Sequence, residues 1–421
     1  DVTKRIILVS ENINGLPNEI INKIGRLLTF RDRCRFGATN KRFRFVLSMP
    51  EFWRKINIPK QNLRYTVITR ILENGARSLS IPWSTVHGEW SENRELKDTI
   101  YTASSLEFLD LSGCNESTTV RGDDKTLALL VAKSKNLRVL DLTMAKLQLL
   151  NNIANTLPWG HRLTSLNLSV VANNQNRYLL KYETIKMIVD RLAFLEDIIL
   201  VGADLCRQST TYVCTYLTEN IRRINFATER VRNSDIIALT NQCPRITYLN
   251  LTGTLVTYEV VHRIVTAWRN TMAYLCLPHG IATHLELPSE DISNYINLEN
   301  LSNLWMRHIV NSNDDPILST LAEFQVMIDS MTELQYFNIG NHSGMMPQNL
   351  LGIQHHTKTL RRLFRHLTIN ISPYEDRCPI EEDPYSIFKN RYSYRGTSTN
   401  SNPSASPSST ASTVSIEDFN Q

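Results

Sequence analysis

Tyr248, Tyr274, Trp305, Arg307 and Tyr336 are the residues of this chain whose types and spacing best suit binding chemistry. Aromatic rings and guanidinium forks supply stacking, large contact area and paired hydrogen bonds, which is why they anchor protein interfaces. Each stands within or beside an apolar phrase that recurs along the chain, so the five are expected to gather on one wall of a repeated sheet and hold a protein partner there. Arg223 and Arg307 add groups suited to pairing with phosphate. Bond-making chemistry has no such signature: the chain lacks a G-x-x-x-x-G-K-[ST] loop, a G-x-S-x-G elbow, an H-E-x-x-H helix and a G-x-G-x-x-G turn. His355 and His356 are adjacent and would diverge on a helix, so neither a catalytic, a metal nor a cofactor site is expected.

Strands must carry these residues. From Leu106 onward one phrase recurs as LEFLDL, LRVLDL, LTSLNL, LEDIIL, IRRINF, ITYLNL, MAYLCL, LSNLWM, LQYFNI and a degenerate LRRLFR, starting at residues 106, 137, 163, 195, 221, 246, 272, 301, 334 and 360. Successive starts lie 25 to 33 residues apart, close to the period of leucine-rich repeats, in which one strand and one returning helix make a unit. Shorter echoes at Trp53/Ile56/Ile58 and Ala76/Leu79/Ile81 place the first units earlier. The alternating leucines are expected to enter the core. The residue between the last two apolar positions then makes a ladder across the open face: Asp110, Asp141, Asn167, Ile199, Asn225, Asn250, Cys276, Trp305, Asn338 and Phe364. Phe108, Arg223, Tyr248, Tyr274, Arg307, Tyr336 and Arg362 flank it. Stripes at Ile185/Ile188/Val189/Leu192 and Val260/Val261/Ile264/Val265/Trp268 predict the outer helices, and Asn233 is placed to cap a third.

Composition sets the outer bounds. The 421 residues carry 46 basic and 41 acidic groups, a formal charge of +5 that leaves no footprint for nucleic acid. Seven scattered cysteines without a C-x-x-C pair argue for buried thiols in a reducing compartment rather than for disulfides or zinc. The apolar run Ile6 to Val9 is too short for a signal segment, and no stretch approaches the roughly 18 apolar residues of a membrane span. Because the chain opens on Asp1 rather than Met, residues upstream are expected.

Ahead of the repeats, Ile20, Ile21, Ile24, Leu27 and Leu28 form the stripe of one amphipathic helix entered through Pro17. Asn40 can cap a later helix with Phe43, Val46 and Leu47 on one side and Lys41, Arg42 and Arg44 on the other. A segment of about 40 residues rarely buries its apolar groups alone, so a neighbour or a partner must cover some of them. Gly25 inside the first helix costs about 1 kcal/mol against Ala, with no sequence-level reason.

Without a gap, Leu16 to Trp53 resembles an F-box, the module by which substrate receptors dock onto the Skp-type adaptor of cullin-RING ubiquitin ligases. Leu16-Pro17, Glu19-Ile20, Ile24, Leu28, Lys41-Arg42 and Trp53 carry the likeness. Thr39-Asn40 stands where the family usually has Val-Cys, Phe43 replaces a Trp, and Arg33 occupies a position that is commonly Leu. F-box then abutting leucine-rich repeats is similar to the S-phase kinase-associated F-box receptor family, and Cys114 and Cys243-Pro244-Arg245-Ile246 resemble its cysteine-containing repeats.

The resemblance implies an α/β chain: a three-helix F-box followed by a curved leucine-rich-repeat solenoid, with parallel strands on its concave face and helices on its convex face. The expected divisions are an N-terminal extension (1–13), the F-box (14–54), the repeats (55–373), an aromatic tail (374–395) able to dock on the repeats, and a disordered Ser/Thr/Pro-rich tail (396–421). Adaptor contacts are implied for Leu16, Pro17, Glu19, Ile20, Ile24, Leu28 and Trp53, and target contacts are expected for the five residues named first. Implied partners are the Skp-type adaptor, through it the cullin and RING subunits, protein targets including phosphorylated ones, and an accessory phosphate-reading subunit. Neither nucleic acid nor membrane is among them, and the expected location is cytoplasm or nucleus. The competing expectation is a leucine-rich-repeat scaffold or inhibitor whose helical N-terminus is only a cap.

Overall fold

The computed structural model describes residues 15–87, 105–114, 124–169, 180–227, 229–278, 300–305, 331, 333–338 and 368–370. The chain divides into two compact units between Leu166 and Asn167.

The first unit begins with three short helices, α1 (Asn18–Leu27), α2 (Phe30–Ala38) and α3 (Lys41–Leu47). Thr29 and Asn40 set the starts of the second and third: Thr29 Oγ1 accepts from the Asp32 amide at 3.2 Å and Asn40 Oδ1 from the Arg42 amide at 2.7 Å. Ile21, Phe43 and Val46 form the core between them, with Leu16 and Phe36 packed against it. Phe43 stacks on Phe36 with ring centroids 4.6 Å apart, so an aromatic contact survives where the resembling family has Trp. A 3-10 turn, Pro50–Phe52, leads without a linker into β1 (Lys55–Asn57).

From β1 the first unit builds parallel pairs: β1 with β3 (Ser78–Ser80), β3 with β5 (Phe108–Asp110), and β5 with β6 (Val139–Asp141). Helices α4 (Tyr65–Glu73), α5 (Asp124–Lys133) and α6 (Leu147–Thr156) return the chain, and β7 (Ser165–Asn167) lies at the boundary of the units. β2 (Asn62–Arg64) and β4 (Thr85–His87) make a separate parallel pair that no sequence pattern announced. The central leucines Leu79, Leu109 and Leu140 are fully buried or nearly so. Burying each contributes about 2 kcal/mol.

In the second unit the same plan runs through α7 (Tyr182–Arg191), β8 (Asp197–Ile199), α8 (Arg207–Tyr216), β9 (Arg223–Asn225), α9 (Asn233–Gln242), β10 (Tyr248–Asn250), α10 (Val261–Trp268) and β11 (Tyr274–Cys276). Then follow β12 (Asn303–Trp305), β13 (Tyr336–Asn338) and β14 (Thr368–Asn370), each strand from β8 onward pairing in parallel with the next. The last strand therefore lies beyond the degenerate phrase: Asn370, not Phe364, stands opposite Asn338, while Phe364 and Arg362 lie outside the described residues. Asn233 does not cap α9. The carboxylate of Asp235 accepts from the Arg232 amide at 2.9 Å instead, and Asn233 Oδ1 accepts from the Thr257 amide at 2.9 Å.

The Asp and Asn ladder has a structural task rather than the open presentation expected of it. Asp110 and Asp141 are 1% and 2% exposed. Each places Oδ1 2.9 Å from the amide two residues on, that of Ser112 or Thr143, and takes the hydroxyl of the same residue as well. Asn167, Asn225 and Asn250 repeat the contact with Ser169, Ala227 and Thr252. This local bond turns the chain out of the strand. Three residues past Asp110 and Asp141 the backbone is left-handed, at Gly113 (φ 60°) and Met144 (φ 53°), and Gly113 N–H donates to Thr143 O in the turn after the next strand at 2.8 Å.

Candidate functional site

Helix α1 turns Ile21 and Gly25 inward. Positions 20, 24 and 27 consequently share the other side, three and four residues apart. Ile20 is 38% exposed and Leu27 87%, with Leu16, Ile24 and Leu28 half-buried and Pro17 and Glu19 exposed. An uncovered apolar edge thus runs along α1. Leu27 belongs to the stripe seen in sequence but was not among the residues implied for contact; its near-complete exposure makes it the most prominent side chain of the edge.

Trp53 stands apart from the others. It is 7% exposed and meets the Phe30 ring edge-on, centroids 5.7 Å apart, so it packs beneath the helices and is removed from the contact set.

Two residues without a sequence-level rationale hold the edge in place. A Cβ on Gly25 would run into Leu47 Cδ2 and lie 2.9 Å from Phe52 Cε1, so only glycine lets α1 approach α3 and the 3-10 turn this closely. Arg33, at the departing position, donates to three carbonyls: Gly25 O at 3.1 Å, Phe52 O at 2.6 Å and Leu28 O at 3.3 Å. Its guanidinium also lies 5.1 Å from the centre of the Phe52 ring. Burial lowers its pKa from the ordinary arginine value. The fork satisfies carbonyls at the end of α1 and ties them to the turn that precedes β1. Arg33→Leu is expected to lower stability by about 2 kcal/mol, and Arg33→Lys to recover little of it because one ammonium cannot span three carbonyls. Hydrogen exchange at the α1 amides measures this, and unchanged protection in Arg33→Leu would refute the role. A further tie from α1 to the 3-10 turn is made by Arg26, which pairs with Glu51 at 2.8 Å, and by Asn22, which also bonds that carboxylate.

The expected target patch is only partly open to description. Tyr248 and Tyr274 are register partners whose rings stack with centroids 4.4 Å apart, but they are 3% and 7% exposed and do not stand as open anchors. Tyr336 follows in the same row beyond Asn303, and Trp305 lies beside Cys276 in the next. The side chains of Trp305 and Tyr336, Arg307, the tail segments 374–395 and 396–421 and residues 1–13 lie outside the described residues. Arg223 offers no free fork for phosphate: its Nε donates to Asp197 Oδ1 at 2.5 Å and a second nitrogen bonds Oδ2. Burial raises the Asp197 pKa and Arg223 opposes it.

Burial pushes the thiols of Cys34, Cys114 and Cys243 up to about 12, leaving them neutral. Among the described residues no group of three His, Cys, Asp or Glu could hold a metal ion, and no helix is long and apolar enough to cross a membrane.

No curated protein matches the chain. Among solved structures, the crystal structure of the Rad7 and Elc1 complex in yeast aligns over 73% of this chain and 71% of that chain, at 13% identity and a TM-score of 0.33. Residues 13–59 match the F-box-like family, a span that holds α1, α2, α3 and β1. The chain therefore carries an F-box-like domain followed by a region of parallel strand and helix repeats.

Proposed function

We propose that this chain is the substrate-recognition subunit of an SCF-type ubiquitin ligase, docking on a Skp-type adaptor through α1 and presenting targets from its leucine-rich repeats. The observation that carries the reading is the F-box-like match at residues 13–59 together with the uncovered apolar edge of α1, where Leu27 is 87% exposed. An edge of that kind in a small helical module calls for a partner. The subunit performs no chemistry itself. It raises the effective concentration of a target beside the ubiquitin-charged enzyme and fixes its orientation. Cullin and RING subunits join through the adaptor, an accessory phosphate-reading subunit assists with phosphorylated targets, and the setting is the cytoplasm or nucleus.

Co-purification of the full chain with a Skp-type adaptor tests the reading. Ile20→Ala and Leu27→Ala are each expected to weaken retention about tenfold, the effect of removing one well-placed apolar contact. Leu16→Ala with Pro17→Ala should act in the same direction. If the intact chain fails to retain the adaptor, the module is a helical cap and the chain a scaffold or inhibitor.

A further inference from the structure

Burial of acids leaves the repeats of the first unit with a one-sided surface. Among the described residues 54–87, 105–114 and 124–166, all twelve Lys and Arg are exposed, whereas three of the five Asp and Glu, namely Asp110, Asp124 and Asp141, are 1%, 8% and 2% exposed. The other two acids are Glu73, which lies 3.6 Å from Arg70 at the end of α4, and Glu107.

Backbone bonds show where the cations gather. The amide of Arg77 donates to Arg54 O at 3.0 Å, that of Glu107 to Arg77 O at 2.8 Å, that of Arg138 to Glu107 O at 2.9 Å, and that of Thr164 to Arg138 O at 2.8 Å. Arg54, Arg77, Glu107, Arg138 and Thr164 are therefore successive rungs of one row, each immediately ahead of its strand, with neighbours about 4.8 Å apart. Lys135 and Arg162 stand in the loops that enter β6 and β7 at the same edge. Arg77 lies 3.7 Å from Glu107 with the side chains 61% and 51% exposed, a pair so open to water that it holds Arg77 only weakly. One residue on, the register partners Lys55, Ser78, Phe108 and Val139 alternate away from the leucine core, and Phe108 and Val139 are half-buried. A cationic rim thus runs beside a short apolar strip on the side of the sheet away from its core.

We propose that this rim and strip are a docking surface for an extended acidic segment of a protein, whose carboxylates meet Arg54, Arg77 and Arg138 and whose apolar side chains cover Phe108 and Val139. The residues belong to the first unit, whereas the row of Tyr248 and Tyr274 belongs to the second, and the surface does not depend on the adaptor reading. Charge complementarity selects the occupant: twelve exposed cations call for carboxylates or phosphates. Glu107 and the strip then favour a polypeptide. A nucleic-acid strand carries a phosphate at every step and would set one against Glu107 in mid-row, while a polypeptide can place an uncharged residue there and a leucine over Val139.

Binding of the full chain to a labelled peptide alternating Glu with Leu is measured at roughly 50 mM and roughly 500 mM salt, beside a peptide alternating Glu with Ser and a single-stranded DNA of equal charge. The Glu–Leu peptide is expected to bind most tightly, and less tightly at the higher salt. Arg77→Glu with Arg138→Glu should weaken it about tenfold at the lower salt and by less at the higher, with hydrogen-exchange protection of the β5 and β6 amides and adaptor retention unchanged. Arg77→Gln with Arg138→Gln, a milder change to the fold, should weaken it about threefold. Val139→Thr should cost the Glu–Leu peptide about threefold and leave the Glu–Ser peptide unaffected. Undiminished binding by the two Arg variants overturns the proposal, as does tighter binding of the DNA. Binding that emerges only after Glu89→Gln, Glu92→Gln, Glu95→Gln and Asp98→Asn, four positions outside the described residues, would give the surface to this chain's own acids and overturn it too. Loss of adaptor retention in the Arg variants with protection intact also overturns it, by making the rim part of the adaptor contact. Failure of the unaltered chain to hold the adaptor sinks the adaptor reading alone.

Discussion

Gly25→Ala is expected to destabilise the first unit by about 2–3 kcal/mol, although helix propensity alone would make the change favourable by about 1 kcal/mol. Propensity counts the chain's own helix, and here the neighbours decide. The added methyl would be driven against Leu47 Cδ2 and against Phe52 Cε1 at 2.9 Å. Leu47 is 3% exposed and Phe52 4%, so neither side chain has room to swing away. Yielding would instead move α1 outward, lengthening the Arg33 bonds to Gly25 O and Phe52 O and shifting the edge that carries Ile20 and Leu27. Hydrogen-exchange protection at α1 and adaptor retention should fall together. A smaller partner supplies the control: adding Leu47→Ala to Gly25→Ala should recover part of the loss, a coupling visible in a double-mutant cycle. A gain in protection from Gly25→Ala alone would show that α1 does not pack this closely.

How much of this can be read without coordinates depends on whether a residue's partner is near in sequence. The strands are legible because each has its own periodic signal: Leu109, Leu140, Leu249 and Leu275 each have a second leucine two positions on, at Leu111, Leu142, Leu251 and Leu277, and all enter the core. The amphipathic stripe of α1 is legible for the same reason. The ladder of Asp110, Asp141 and the asparagines is visible as a pattern, yet its purpose is not, since an Asp facing a partner and an Asp bonding the amide two residues on have the same spacing. Ser112 and Thr143 in the second place after those acids are the local clue. Tyr248 and Tyr274 are correctly placed in one row, but alternation cannot show that the row is covered. Gly25 and Arg33 are illegible because Phe52, which both of them meet, and Leu47, which Gly25 meets, are 19 or more residues away. Trp53 marks the end of the F-box pattern, and a landmark in sequence need not lie on a surface. Residues 13–59 hold ten Lys and Arg against three Asp and Glu, a bias plain in the sequence and lost only when charge is summed over the whole chain.

Asp141→Asn is expected to stabilise the first unit at neutral pH by up to about 3 kcal/mol, with the gain disappearing in acid. Burial pushes the Asp141 carboxyl from 3.8 to about 6, opposed by its bonds from the amide and hydroxyl of Thr143. A carboxyl raised in the folded state holds its proton more tightly there than in the unfolded chain. Its folding contribution is therefore most favourable below pH 4, declines as pH rises from about 4 to about 6, and stays low above. Asparagine offers the same Oδ1 acceptor without a charge to bury, and Asn167, Asn225 and Asn250 already serve that turn elsewhere in the chain. The substituted chain should thus match the original near pH 4 and exceed it at pH 7. Exchange rates of the β5 and β6 amides in the full chain at pH 4, 5, 6 and 7, after correction for intrinsic exchange, report the difference. Curves that stay parallel across that range would mean that Asp141 does not titrate within the folded unit, and that its burial is offset by contacts beyond Thr143.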